Sequence, residues 1–72
     1  MDLMKAIGVR ITELCEKNGF SIQQLSERSG VCESLLTEIT EGDIDDIEVV
    51  EIARLCKAYK ITLDQFFKRD YF

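Results

Sequence analysis

The residues able to do chemistry gather in one stretch. Cys32, Glu33, Ser34, Thr37 and Glu38 fall on outward positions near the start of a short helical segment. A hydroxyl there can exchange hydrogen bonds with a base edge, and a carboxylate can accept from cytosine N4. A helix carrying these groups is therefore able to read a duplex groove. Glu33 and Glu38 face a polyanion unfavourably, and the alternative is that both are simply solvated helix carboxylates. Catalysis has little to work with. The chain has no His, and its carboxylates recur at solvent-facing positions. The three cysteines, Cys15, Cys32 and Cys56, lie far apart with no Cys-x-x-Cys, so no metal or other cofactor is expected. Cys15 and Cys56 sit on apolar stripes and read as small apolar residues. Cys32 is expected to be partly exposed at a helix N-terminus that lowers its pKa, and any redox or modification role would rest on it. A protein that is not an enzyme is the expectation.

These residues need a frame, and Phe20 to Gly42 supplies it. Ser21 with Gln24 makes a capping box. Leu25 anchors the helix that follows, about Ile22 to Ser29, and Gly30 ends it with a left-handed backbone. Val31 plugs the turn. Leu35, Leu36 and Ile39 then recur at helical spacing from about Glu33 to Glu41, and Gly42 closes that helix. Cys32 stands where a capping Ser or Thr is usual, so this cap is expected to be poor, with Glu33 compensating through the helix dipole. Two helices joined by a short Gly-containing turn make a helix-turn-helix, about residues 21–42, whose second helix can enter a DNA major groove.

The flanks read as three more helices. Leu3, Ile7, Ile11, Leu14 and Cys15 mark a first helix from about Leu3 to Lys17, with Asp2 as N-cap and Asn18-Gly19 as its stop. Gly8 inside it costs up to about 1 kcal/mol relative to Ala, which a close helix approach would explain. Asp45 with Glu48 makes a capping box for a fourth helix, about Ile47 to Tyr59. Its apolar positions are Val49, Ile52, Ala53, Leu55, Cys56 and Tyr59. Thr62 with Gln65 opens a short fifth helix through Phe67, and Leu63 and Phe66 close the core. Phe67, Tyr71 and Phe72 exceed what so small a core needs and are expected to meet a second copy or a partner, unless the terminus frays. No linker, repeat or strand interrupts this pattern. The expected fold is all-α, one five-helix domain over residues 1–72.

The pattern also matches a known family. Leu25, Gly30, Val31, Leu36, Ile39 and Gly42 carry the match. Ile7-Gly8-x-Arg10-Ile11-x-x-Leu14 precedes them and Ile61-Thr62-Leu63-Asp64-Gln65-Phe66-Phe67 follows. Over roughly residues 5–67 the chain resembles the XRE-type (phage repressor and Cro-like) helix-turn-helix family. The resemblance implies a repressor-like DNA-binding domain, acting as a transcriptional regulator on double-stranded DNA as a homodimer. It places DNA contacts at Arg10, Lys17, Ile22, Gln23, Arg28, Cys32, Glu33, Ser34, Thr37 and Glu38. Two departures stand out. Ile22 occupies a place where the family often has a phosphate-binding Gln, and only its backbone N–H can donate. Cys15 and Thr40 occupy the places of a frequent Arg–Glu pair. Their joint replacement avoids a lone buried charge, which costs several kcal/mol.

The charge distribution opens a second expectation. The net charge is -5, and between Arg28 and Arg54 lie Glu33, Glu38, Glu41, Asp43, Asp45, Asp46, Glu48 and Glu51 with no Lys or Arg. Nucleic-acid binders usually show a basic patch, and Lys5, Arg10, Lys17 and Arg28 would have to supply it. The acidic stretch suits instead a helix-turn-helix used as a protein-interaction module for a basic protein partner. No apolar run approaches the roughly 18 residues that a membrane span needs. The start MDLMKAIG lacks a signal-peptide pattern, so a cytoplasmic protein with no membrane partner is expected.

Overall fold

The computed structural model describes residues 2–44 and 46–72. They form α1 (Leu3–Asn18), α2 (Ile22–Ser29), α3 (Glu33–Glu41), α4 (Val49–Tyr59) and α5 (Leu63–Phe66), with no strand among the described residues. The fold is all-α, as the spacing of apolar residues requires.

α1 buries Ala6, Ile7, Gly8, Ile11, Leu14 and Cys15. Leu3 begins this stripe by spacing but is 59% exposed, because the stripe runs past the end of the core. Asp2 takes the N-cap position with extended backbone, and its side chain makes no cap bond. At Gly8 a Cβ would sit 2.5 Å from the Ile39 carbonyl oxygen and 3.5 Å from the Thr40 Cα. The backbones of α1 and α3 approach more closely than any side chain allows, which accounts for a glycine in mid-helix.

α2 opens with the expected capping box. Ser21 Oγ accepts from the Gln24 N–H at 3.1 Å, and Gln24 Oε1 accepts from the Ser21 N–H at 2.9 Å. Gly30 ends the helix at φ +77. Two bonds that apolar spacing does not reveal then lock the turn. Ser26 Oγ donates to the Val31 carbonyl at 2.6 Å, and the Val31 N–H donates to Ser29 Oγ at 3.1 Å. With Val31 only 1% exposed, the turn is held from both its polar and its apolar side. α3 follows with Leu36 and Ile39 fully buried.

α4 begins two residues later than expected. Glu48 is its N-cap and makes no side-chain cap bond, while Asp46 Oδ1 accepts from the Ile47 N–H at 2.9 Å. Asp45, the first half of the expected capping box, lies outside the described residues. The expectation that Val49 and Ala53 face the core is corrected: both are exposed, Val49 at 68%. The core-facing positions are Ile52, Leu55, Cys56 and Tyr59: Val49 lies one turn before this stripe meets the core, and Ala53 falls one position off it. α5 forms its Thr62–Gln65 capping box. Leu63, expected to close the core, is 40% exposed at the helix start, and Phe66 alone fills that place at 0%.

Ile7, Ile11, Leu25, Leu36, Ile39, Leu55 and Phe66 are the largest fully buried side chains of the core that the described residues form. Burying each contributes about 1.5–3 kcal/mol relative to leaving it in water. Within this core, Tyr59 Oη lies 3.1 Å from Cys15 Sγ and 3.4 Å from the Ile11 carbonyl oxygen. Burial, with the thiol beside it, pushes the phenol's pKa well up. Thr40 instead donates to the carbonyls of Leu36 and Thr37. The two positions of the family's charged pair are thus satisfied separately, each by a neutral partner.

The C-terminal residues pack on their own chain. Phe72 meets Phe67 edge-on at 4.9 Å and lies 6.3 Å from Phe66. Tyr71 Oη donates to the Glu13 carboxylate, and Arg69 pairs with the same carboxylate at 3.2 Å. Phe67, Tyr71 and Phe72, expected to meet a second copy or a partner unless the terminus frays, thus have partners on their own chain.

Candidate nucleic-acid interface

The expected contact residues divide into three groups. The first is α2, the turn and the first half of α3. Gln23, Arg28, Cys32, Glu33, Ser34, Thr37 and Glu38 are all exposed there. Leu25, Val31, Leu36 and Ile39 lie beneath them in the core. The outward positions thus sit on helices whose inward positions are fixed, which is what a readout surface needs. Ile22 is half-buried and packs against the core. Arg28 lies over the Phe20 ring, its guanidinium carbon 4.7 Å from the centroid. A cation on an aromatic face keeps its charge and loses rotamer freedom.

The second group is Arg10 and Lys17, and the structure separates both from that surface. They line a groove between α1 and α5, together with Glu13, Glu16, Lys68 and Arg69. Arg10 Nε donates to the Phe66 carbonyl at 2.7 Å, and a terminal nitrogen donates to the Gln65 carbonyl at 3.0 Å. Its other terminal nitrogen lies 3.7 Å from Glu13. The guanidinium thereby caps the end of α5, sharing the Gln65 carbonyl with the Lys68 N–H. Arg10 as a phosphate contact is therefore corrected: its donors point into the molecule and its side chain is only 13% exposed. The signal was absent from local sequence, because the partners lie 55 and 56 residues away. The third group is Lys5 alone, which lines a different groove between α1 and the end of α3. The basic residues do not converge on one face.

Cys32 sits at the N-cap of α3 and is exposed, as its place in the sequence suggests. Its side chain makes no cap hydrogen bond at bonding distance. Even so, the N–H of Leu35, then the N–H and hydroxyl of Ser34, hold the thiol's pKa below its usual value. Burial pushes the Cys56 thiol the other way. Glu33 and Glu38 form no ion pair among the described residues. Thus hydroxyls, an amide and a thiol face outward beside two bare carboxylates.

Among the described residues no helix is long and apolar enough to cross a membrane. Comparison with curated proteins and with solved structures gave no match. A family model described as the Cro/C1-type HTH DNA-binding domain matches residues 10–70. That match spans α2, the turn and α3, and all of the contact surface described above. The chain belongs to the Cro/C1-type HTH DNA-binding domain family.

Proposed function

We propose that this chain is a transcriptional regulator that binds duplex DNA as a homodimer, with the first half of α3 in the major groove. Residues 1–72 would act as one such domain, in the cytoplasm and without catalysis. One observation carries the reading: Gln23, Arg28, Ser34 and Thr37 are all exposed on an α2–turn–α3 unit whose inner side is fully packed. Ser34 and Thr37 are suited to base edges. Gln23 and Arg28 are suited to phosphate, with the backbone N–H of Ile22 at the start of α2. Cys32, Glu33 and Glu38 complete the surface, and Lys17 adds charge from the side.

The grip is light. With Arg10 engaged internally and Lys5 and Lys17 set on other grooves, three cations at most remain, and each neutralised phosphate adds about 0.9 to the salt slope, so the slope should not exceed roughly 3 per subunit. Selection of bound sequences from a random duplex pool tests the proposal. The expected result is a palindrome with half-sites about one helical turn apart. No enrichment at about 50 mM salt, with the fold intact by circular dichroism, would sink it.

The bare carboxylates favour a second reading. Glu33, Glu38, Glu41, Asp43 and Glu48 are exposed and form no ion pair among the described residues. Such a face suits a basic protein partner. Retention by basic proteins but not by heparin or DNA columns would select this reading over the first.

A further inference from the structure

Arg28 stands on a column of rings that begins in the core. Tyr59 is the base of the column. It is 7% exposed, and its hydroxyl lies 3.1 Å from Cys15 Sγ and 3.4 Å from the Ile11 carbonyl oxygen. The half-buried Phe20 ring stacks on Tyr59, with centroids 5.7 Å apart and planes 17° from parallel. The Arg28 guanidinium carbon lies 4.7 Å from the centroid of that same Phe20 ring. Phe20 directly precedes the Ser21 cap of α2, and Arg28 lies in the last turn of that helix. The contact therefore spans α2, and no local periodicity announces it.

A guanidinium stacks through its flat face and donates through its edge. Arg28 over a ring thus keeps the fork of N–H groups that grips two phosphate oxygens at once. Arg28 forms no ion pair among the described residues, so no carboxylate there takes up that fork. Residues 22–41 contain no other Lys or Arg, Arg10 is turned inward, and Lys5 and Lys17 line other grooves. One cation therefore carries the phosphate grip of the α2–turn–α3 unit, and where it is held matters more than on a strongly basic surface. An unsupported Arg must be ordered by the ligand it binds, whereas a stacked one is partly ordered beforehand.

We infer that Phe20 is a positioning residue for DNA binding. Its ring, braced by Tyr59, holds the Arg28 guanidinium with its edge free for a backbone phosphate. The role rests on the duplex binding proposed above and extends it to a side chain that itself touches no DNA.

A double-mutant cycle on the whole chain tests the role. The probe is the selected duplex at about 50 mM salt, with circular dichroism melts as the check on folding. Phe20→Leu keeps apolar bulk and removes the ring. It is expected to weaken binding about fivefold, the scale of one rotamer-rich side chain left for the ligand to order. Phe20→Tyr keeps the ring and is expected to bind within about twofold of the native protein. With Arg28→Ala already in place, Phe20→Leu is expected to weaken binding by less than about twofold more. That dependence separates positioning from a structural role, because a distorted α2 would weaken binding with or without the guanidinium. Equal losses in both backgrounds overturn the proposal, as does an unchanged affinity for folded Phe20→Leu. Side-chain NMR of the native protein gives a second measurement that needs neither DNA nor a folded Phe20→Leu. The Arg28 δ-methylene protons are expected to be shifted upfield by the ring, in the native protein and in Phe20→Tyr alike. Resonances at the positions of an unstacked Arg overturn the proposal by themselves. A native protein that binds no duplex overturns the DNA reading and this role together, whereas binding without the coupling overturns the role alone.

Discussion

Glu13 and Glu38 are both carboxylates on helices, yet their surroundings differ completely. Glu13 accepts from Tyr71, pairs with Arg69 and lies near Arg10. The Tyr71 hydroxyl, with the two guanidinium groups, holds its pKa below the usual carboxylate value. Glu38 on α3 is exposed and forms no ion pair among the described residues. The same contrast holds region by region. Around Glu13, where α1, α5 and the tail meet, Arg10, Arg69 and Tyr71 bind one carboxylate and fasten the fold. On α3, Glu33, Glu38 and Glu41 form no ion pair among the described residues and are left to water. Charge that is engaged inside the molecule should change stability when removed, and charge left bare should change binding.

The largest expected effect breaks this contrast at Arg10. Arg10→Met keeps most of the apolar stem but removes two charge-assisted bonds to α5. Hydrogen bonds to charged groups contribute about 1.5–3 kcal/mol each, less where exposed, so a loss of about 2–3 kcal/mol in urea unfolding is expected. The salt slope of DNA binding should stay the same for the folded fraction. Arg28→Ala should do the reverse, lowering the slope by about 0.9 with little change in the melt. A slope that falls equally for both would return Arg10 to the DNA surface. Gly8→Ala comes next. The added carbon meets the Ile39 carbonyl oxygen at 2.5 Å, and backbone cannot swing aside as a side chain can. Overpacking costs about 1–3 kcal/mol, against which Ala gains up to about 1 kcal/mol of helix propensity. A net loss of about 1–2 kcal/mol is expected, and any gain in thermal stability would show that α1 and α3 can separate cheaply.

What was legible in the sequence follows the same division. α2 and α3 have the bounds that their caps and glycines dictate, because a capping box and a left-handed glycine are local devices. Their outward residues are exposed for the same reason: period alone decides the face. The misses are non-local. Spacing put Leu3, Val49 and Leu63 on core stripes, but all three sit at helix starts, where the stripe continues after the neighbouring helix has ended. Arg10 looked basic and available because its acceptors lie at the other end of the chain. Tyr71 and Phe72 looked surplus because their partner Glu13 and cover Phe66 are joined only by folding. Local chemistry writes the readout surface, whereas tertiary closure writes which charges remain available to it.

On the bare side of the comparison, Glu33→Gln with Glu38→Gln should leave the melt within about 0.5 kcal/mol of the native one, as surface changes usually do. Its effect belongs to binding. If the carboxylates only tolerate DNA, removing two like charges tightens all duplexes alike, by roughly tenfold at low salt. If they accept from cytosine N4, the double variant binds the selected site more weakly and loses preference there, by about 1–3 kcal/mol for each carboxylate that reads a base well. Competition between the selected duplex and a scrambled one separates the two outcomes.

The smallest expected effect probes the engaged side at its outer edge. Tyr71→Phe keeps the ring against Phe72 and removes only the hydroxyl that donates to Glu13. The link is partly exposed, so a loss of about 1 kcal/mol at neutral pH is expected. Its pH dependence identifies the cause. Glu13's pKa is lowered from 4.5, so its contribution is present above about that pH and is lost as pH falls through the lowered value. Burial first, then the bond to Glu13, raises the Tyr71 phenol above 10.0. An acid with a raised pKa contributes below its unfolded value and loses that contribution as pH rises through the folded one. The native-minus-variant difference in stability should therefore be a plateau between about pH 4.5 and pH 10, falling at both ends. Urea melts at pH 3, 7 and 11 measure it, at roughly a pH unit or more beyond each edge. A difference that stays constant across all three would show that the tail is held by its rings alone, and Glu13 would then belong with Glu38 among the carboxylates left to water.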